Sequence, residues 1–146
     1  MSLMHPTELN PDPCLYLSLR KANRVMSQIY DHYLAECGLK GGQFSILRVT
    51  KLMGQSTNKA LQDILSLDQT TLSRNLKPLI RDGYMHTQEG DDKRVKILTL
   101  SQSGKEIYHR AEKKWALAQI EIKKKLGSDH VNMLYTLTDA VVNLKD

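Results

Sequence analysis

A single helix with both of its ends marked constrains this 146-residue chain more than any other feature. In Asp68-Gln-Thr-Thr-Leu-Ser-Arg-Asn-Leu-Lys-Pro-Leu-Ile-Arg-Asp-Gly83, Leu72, Leu76, Leu79 and Ile80 recur at i, i+4, i+7 and i+8, one apolar stripe of an amphipathic helix over 68–82. The Asp68 carboxylate can accept from unpaired amides of the first turn, and Gly83 suits the left-handed residue that follows a last turn. Turned away from the stripe are Gln69, Thr70, Ser73, Arg74, Lys77 and Arg81. These combine side chains able to hydrogen-bond base edges with cations able to meet phosphates. A solvated face would also be charged, so the neighbouring segments decide between the two readings.

Upstream, Thr57 can cap a short helix with Leu61, Ile64 and Leu65 facing inward, and Ser66-Leu67 leaves only a tight connection before Asp68. Two short helices joined in this way form a helix-turn-helix. Downstream, strand-like runs over Tyr84–Glu89 and Arg94–Leu100 flank Gly90-Asp-Asp-Lys93, which predicts a hairpin, or wing, over 84–100 with a charged tip. Helix-turn-helix, hairpin and the start of a further helix thus follow without a gap from Leu61 to Gly104, the order of a winged helix. We expect a mainly α fold with a small β-hairpin wing, its winged helix-turn-helix spanning 42–100.

Net charge contributes little to this reading. The chain is +5 overall, but residues 56–100 hold seven basic side chains against six acidic ones, a local excess of +1. A nucleic-acid argument therefore rests on where charges sit. Arg94, at the wing tip, suits a narrow, electronegative minor groove, with Lys93 beside it. Asp92 would be repelled by phosphates, so it reads as a support that orients Arg94 or pairs with Arg74; the plainer alternative is an ion pair across a turn.

Long helical patterns flank the head. From Cys14 to Cys37, Leu15, Leu19, Ala22, Met26, Ile29, Tyr33 and Cys37 fall at spacings of four and three; Gln102–Leu126 and Asp129–Leu144 carry comparable patterns. Helices of this length in a small domain need something beyond the head to pack against. Residues 13–37 and 102–146 are accordingly expected to form a dimerisation region, the alternative being an intramolecular bundle. Low aromatic content (5%) leaves Leu, Ile, Val, Ala and Met to fill the core of one domain.

The Leu61, Leu65, Asp68, Thr71, Ser73-Arg74, Leu76, Leu79 and Gly83 pattern resembles the MarR (multiple antibiotic resistance regulator) family of winged-helix transcription regulators. Asp92-Lys-Arg94 and Leu100-Ser101 with Gly104 extend the resemblance, and Gln43-Phe44-Ser-Ile-Leu47 and the long first helix carry it loosely over the whole chain. It implies a homodimer on a pseudo-palindromic operator of double-stranded DNA, the 68–82 helix in the major groove and the wing at the minor groove. The candidate DNA-binding residues are Gln69, Thr70, Thr71, Ser73, Arg74, Lys77, Arg81, Lys93 and Arg94, with Asp92 in support. Departures are Ser66 where the family often has Gly, Gln62 for a usual Ala, and Pro78 inside the recognition helix. Pro78 removes a backbone donor and crowds the Arg74 carbonyl, which predicts a bend near Arg74. Ser66 is expected in a strained left-handed conformation or a differently built turn.

The resemblance also implies a repressor released by a small aromatic or anionic effector bound between the terminal helices and the head, where Arg20, His32, Tyr33, Phe44 and Trp115 are candidates. Oxidation is another route. Pro11-Asp12-Pro13 predicts Asp12 as N-cap and Cys14 as the second helical residue, beside the positive end of the helix dipole that lowers a thiol pKa. That position resembles the family's organic-hydroperoxide-sensing branch and makes Cys14 a candidate redox sensor, although Phe44 stands where that branch has a phenol. The bland alternative is a small core residue, and Cys37 is expected to be inert.

The five His residues are scattered, there is no HExxH, CxxC, GxSxG or phosphate loop, and the two Cys lie 23 residues apart. Neither an enzyme nor a metal or other cofactor is expected. With no run of 18 apolar residues and no secretion signal, the chain reads as a soluble cytoplasmic protein, Met4 being the natural start after an added Met1-Ser-Leu leader. A winged helix used only for protein contact is the competing function; it would need no Arg at the wing tip.

Overall fold

The computed structural model describes residues 13–145, so the expectations for Met1-Ser-Leu and for Asp12 lie outside the described residues. Helix α1 (Leu15–Leu34) runs into a 3-10 turn (Ala35–Cys37), and α2 (Gly41–Met53) follows. Next come α3 (Asn58–Leu65), α4 (Gln69–Arg81), strands β1 (Met85–Glu89) and β2 (Lys96–Leu100), α5 (Gln102–Leu126), α6 (Ser128–Val142) and a terminal 3-10 turn (Asn143–Lys145). The fold is mainly α with a two-stranded antiparallel hairpin, as the sequence predicts. Among the described residues no helix is long and apolar enough to cross a membrane.

The core centres on the head and takes in Leu34, Cys37 and Leu39 from the end of α1 and the turn after it. Phe44, Ile46 and Leu47 of α2 are buried with Leu61 of α3, Leu72, Leu76 and Leu79 of α4, Met85 of β1 and Leu98 of β2, and Ile107, Tyr108 and Ala111 of α5 close it. Phe44 lies between Tyr108 and Trp115, with ring centroids 5.7 and 6.0 Å away and planes only 16° and 26° from parallel. Buried Thr50 and Ser56 join hydroxyl to hydroxyl at 2.9 Å, so neither is left unsatisfied.

Two inward assignments are corrected. Ile64 is 54% exposed and Ile80 38%. Both lie at the margins of their stripes, and the stripe is wider than the strip of core that α2 and α5 supply. Helix bounds shift as well: the first helix begins at Leu15 rather than Pro13, its last turn tightens to a 3-10 turn, and the last helix begins at Ser128 and gives way to 3-10 geometry after Val142. The strands begin one residue late at Met85 and two late at Lys96, because Val95 belongs to the tip, where its amide donates to Asp92 O at 2.9 Å.

The head ends in a joint with little slack. Ser101 caps α5 by accepting from the Gly104 amide at 3.0 Å while its hydroxyl donates to Gly83 O at 2.5 Å, and Ser103 donates to the same carbonyl at 3.1 Å. The Ser101 amide donates to Tyr84 O at 3.0 Å. A Cβ on Gly104 would stand 2.0 Å from that Tyr84 oxygen, so only glycine fits there. Gly83, at φ +80°, supplies the left-handed turn that the sequence predicts after the recognition helix.

Outside the head, apolar side chains are uncovered. On α1, Leu15 is 83% exposed and Tyr16, Leu17, Leu19 and Val25 are also exposed; on the C-terminal segment the same holds for Met133, Tyr135, Leu137, Val141, Val142 and Leu144. Within the chain, α1 packs along α5 and α6 folds back on α5, which leaves these faces open.

Candidate nucleic-acid interface

Local capping fixes both ends of the helix-turn-helix. Thr57 Oγ1 accepts from the Ala60 amide at 3.1 Å, and Asp68 Oδ1 accepts from the Thr71 amide at 2.7 Å. The amide bond from Thr71 is the leading cause that holds the Asp68 carboxyl below the ordinary aspartate range, with nearby Arg74 adding to it. Ser66 occupies the left-handed region at φ 52°, ψ 46°, the strained alternative for that turn, and its amide and that of Leu67 both return to Gln62 O. Gln62, where a smaller residue was expected, thus closes the turn through its backbone while its side chain is only partly buried. Helix α4 runs unbroken through Pro78 to Arg81.

The polar face of α4 is exposed as expected. Gln69 Nε2 donates to Ser73 Oγ at 2.9 Å, one turn along, so these two present a joined hydrogen-bonding pair. Thr70, Arg74 and Lys77 are exposed; among the described residues Arg74 and Lys77 join no ion pair. Thr71 is half-buried and spends its amide on the cap. Arg81, at the far end, is tied to Asp82 at 3.0 Å, whose hydrogen bond raises its pKa further.

In the wing, β1 pairs with β2 in the register Met85 to Leu100 through Glu89 to Lys96. A third contact escaped sequence reasoning: Ser56 bridges to Leu98, with amide-to-carbonyl bonds of 2.9 and 2.8 Å in the two directions, and ties the start of the helix-turn-helix to the wing. A single bridge made by one residue leaves no periodic trace. At the tip, Asp92 is matched to Arg94, not Arg74. Its Oδ1 accepts from Arg94 N at 3.0 Å and Nε at 3.1 Å, and its Oδ2 accepts from Nη2 at 3.0 Å. The Arg94 side chain is nonetheless 89% exposed, a guanidinium held outward on a fixed base. Its hydrogen bonds are the first cause lowering the Asp92 pKa. Lys93 is exposed beside it.

Two further expectations are resolved differently. Cys14 is exposed within the chain and is the N-cap residue itself, in extended geometry, rather than the second residue of the helix. Cys37 is buried. Of the effector candidates, Phe44 and Trp115 line a cavity of about 460 Å³ between α1, α2, α4 and α5; Arg20, His32 and Tyr33 do not. Arg20 instead donates to Tyr16 Oη at 2.9 Å, and His32 packs edge-on to Tyr33. The residue that was missed is Arg48, which also lines the cavity and stacks its guanidinium 4.6 Å from the Trp115 ring centroid. It follows Phe44 by four residues on α2, the only sign the sequence offers. Asn75 of α4 forms another wall, and Asp31 Oδ1 accepts the Gly41 amide there at 2.8 Å, anchoring the start of α2 to α1.

No protein-family model matches the chain. It is 26% identical over 90 residues to an uncharacterized HTH-type transcriptional regulator, YwoH, of Bacillus subtilis (strain 168); the match spans 62% of this chain and 66% of that protein, just under two thirds. Among solved structures it is similar to the M. tuberculosis transcriptional regulator MosR in complex with DNA, with a TM-score of 0.78 and 32% identity over 88% of this chain and 96% of that one. A mutant MarR from E. coli complexed with operator DNA has the same TM-score at 24% identity, over 92% of this chain and 96% of that one, and shares the fold.

Proposed function

Since the chain belongs to the MarR family of winged-helix transcription regulators, we propose that it works as a homodimer that represses transcription from a pseudo-palindromic operator and lets go on a chemical signal. It is a DNA-binding regulator. The observation that carries the reading is the face of α4: Gln69, Thr70, Ser73, Arg74 and Lys77 stand exposed on a helix capped at Asp68, next to a wing whose Arg94 is held outward. Hydrogen-bonding side chains in the middle of such a face suit base edges in a major groove, and cations around them suit phosphates. Dimerisation is supported by the uncovered apolar faces of α1 and the C-terminal segment, and two α4 helices about 34 Å apart would meet successive major grooves.

For the signal, the 460 Å³ cavity is of a size to hold a small molecule, and stacked aromatic walls with the Arg48 guanidinium suit an aromatic carboxylate. The exposed position of Cys14 favours oxidation as a second route. One assay reads all three points. Mobility shift with the DNA upstream of the protein's own gene should give a retarded band at low salt that weakens at higher salt. Benzoate should release it and change the fluorescence of Trp115, the single tryptophan. Peroxide should release it with loss of the Cys14 thiol by mass spectrometry. No band at low salt would overturn the DNA reading; a band indifferent to benzoate or to peroxide removes the corresponding signal.

A further inference from the structure

The cavity between the long helices and the head takes its walls from α1, α2 and α5, and one residue, Asn75, from α4. Among the described residues Asn75 is the only lining side chain that belongs to α3, α4 or the wing. Arg74, its neighbour in sequence, is exposed, whereas Asn75 is half-buried behind the reading surface. The Asn75 carboxamide donates to the Thr71 carbonyl at 3.2 Å. A carbonyl only accepts, so the donor there is Nδ2, and its second hydrogen and Oδ1 are not used in that bond. Regular helical pairing gives the Thr71 carbonyl the Asn75 backbone amide as well, so it stays satisfied if the side chain leaves. The same carboxamide lies against α2: a Cβ added at Gly42 would stand 3.0 to 3.1 Å from its Nδ2, Cγ and Oδ1. Glycine in the first turn of α2 is what lets α4 rest there through this side chain.

We infer that Asn75 is the positioning residue through which a carboxylate in this cavity acts on α4. The inference rests on the effector-site reading above and deepens it. An anion held by the Arg48 guanidinium, which stacks on Trp115 in the same cavity, brings oxygens that only accept to a wall whose α4 member is a donor. A carboxylate has two such oxygens, one for Arg48 and one for Asn75. A hydrogen bond to an ionised acceptor is roughly twice as strong as one to a neutral carbonyl, so Nδ2 exchanges Thr71 O for the occupant. In leaving, the carboxamide lifts from Gly42, and α4 loses its seat on α2 at the turn that carries Arg74. A neutral arene of the same size fills the cavity without making that exchange.

The test compares wild type, Asn75→Ala and Asn75→Asp in two titrations with benzoate. Trp115 fluorescence reads occupation of the cavity, and mobility shift on the DNA upstream of the protein's own gene reads release. Without benzoate, Asn75→Ala should bind that DNA and melt as wild type does. Saturating benzoate should weaken wild-type DNA affinity about fivefold or more, and that of Asn75→Ala less than about twofold, while the fluorescence of both responds. Asn75→Asp sets a like charge of equal size against the anion, so its fluorescence titration should move at least about tenfold to higher benzoate. Equal release in wild type and Asn75→Ala, or an unmoved titration in Asn75→Asp, would overturn the role of Asn75. Loss of DNA binding by Asn75→Ala in the absence of benzoate would overturn it too, because the residue would then be structural. A wild-type fluorescence indifferent to benzoate would overturn the cavity reading and this inference with it, so the two failures are distinguishable.

Discussion

Asp92 and Arg94 share one short turn and have opposite relations to a polyanion. Asp92 satisfies its acceptors on the Arg94 amide and guanidinium, and in doing so restricts the rotamers of a side chain that would otherwise sample freely. The ion pair is exposed and contributes little to stability, so its value is orientation. Arg94→Ala should therefore weaken operator binding and lower the salt slope by about one unit while leaving the melting temperature unchanged. Unaltered affinity and slope would remove the wing from the interface. Within the head, residue-level assignments were legible where the cause is local, whereas at the first helix the expected cap position gave way to Cys14. The caps at Thr57 and Asp68, the left-handed Ser66 and Gly83, and the charged tip all depend on neighbours within a few residues. Arg48 was not legible, because what distinguishes it is a tryptophan 67 positions away that folding alone brings beneath it.

Elements behaved likewise. Periodicity located α3 and α4 but not α2, of which only Gln43–Leu47 was singled out, and by resemblance; it also overstated how much of each stripe is covered, since Ile64 and Ile80 continue the pattern past the edge of what the neighbours can bury. Strand starts were misplaced because Val95 looks like a strand residue and is recruited by the turn. For α4, the Asp68 cap makes a pH-dependent prediction. Its folded pKa is depressed, so its stabilising contribution is present above the unfolded value of about 3.9 and is lost as pH falls through the folded one. Asp68→Ala should melt below wild type at neutral pH, and the gap should close in acid. A gap that persists there would assign the effect to something other than the carboxylate. At the junction with α5, Gly104→Ala sets a methyl against the Tyr84 backbone, and neither side can rotate away. Denaturant titration should show a loss of about 3 kcal/mol, at the upper end of the cost of overpacking; a neutral result would mean that the joint is looser than its hydrogen bonds suggest.

At the scale of the molecule, the described chain is well packed around the head and bare along α1 and its C-terminal segment. Light scattering should give a mass twice that of one chain, and a monomeric mass at micromolar concentration would return those faces to solvent. Because Ser101 and Ser103 both hold the Gly83 carbonyl, and Ser101 and Gly104 sit directly on Tyr84, the end of the reading helix is fastened to the first turn of a helix about 38 Å long. A long rod clamped at one end acts as a lever. In the dimer proposed above, a tilt of a few degrees at the far end of α5 would pass through this joint to α4 as a change of angle, and on a helical target a small change of angle in each of two arms would become a mismatch of pitch.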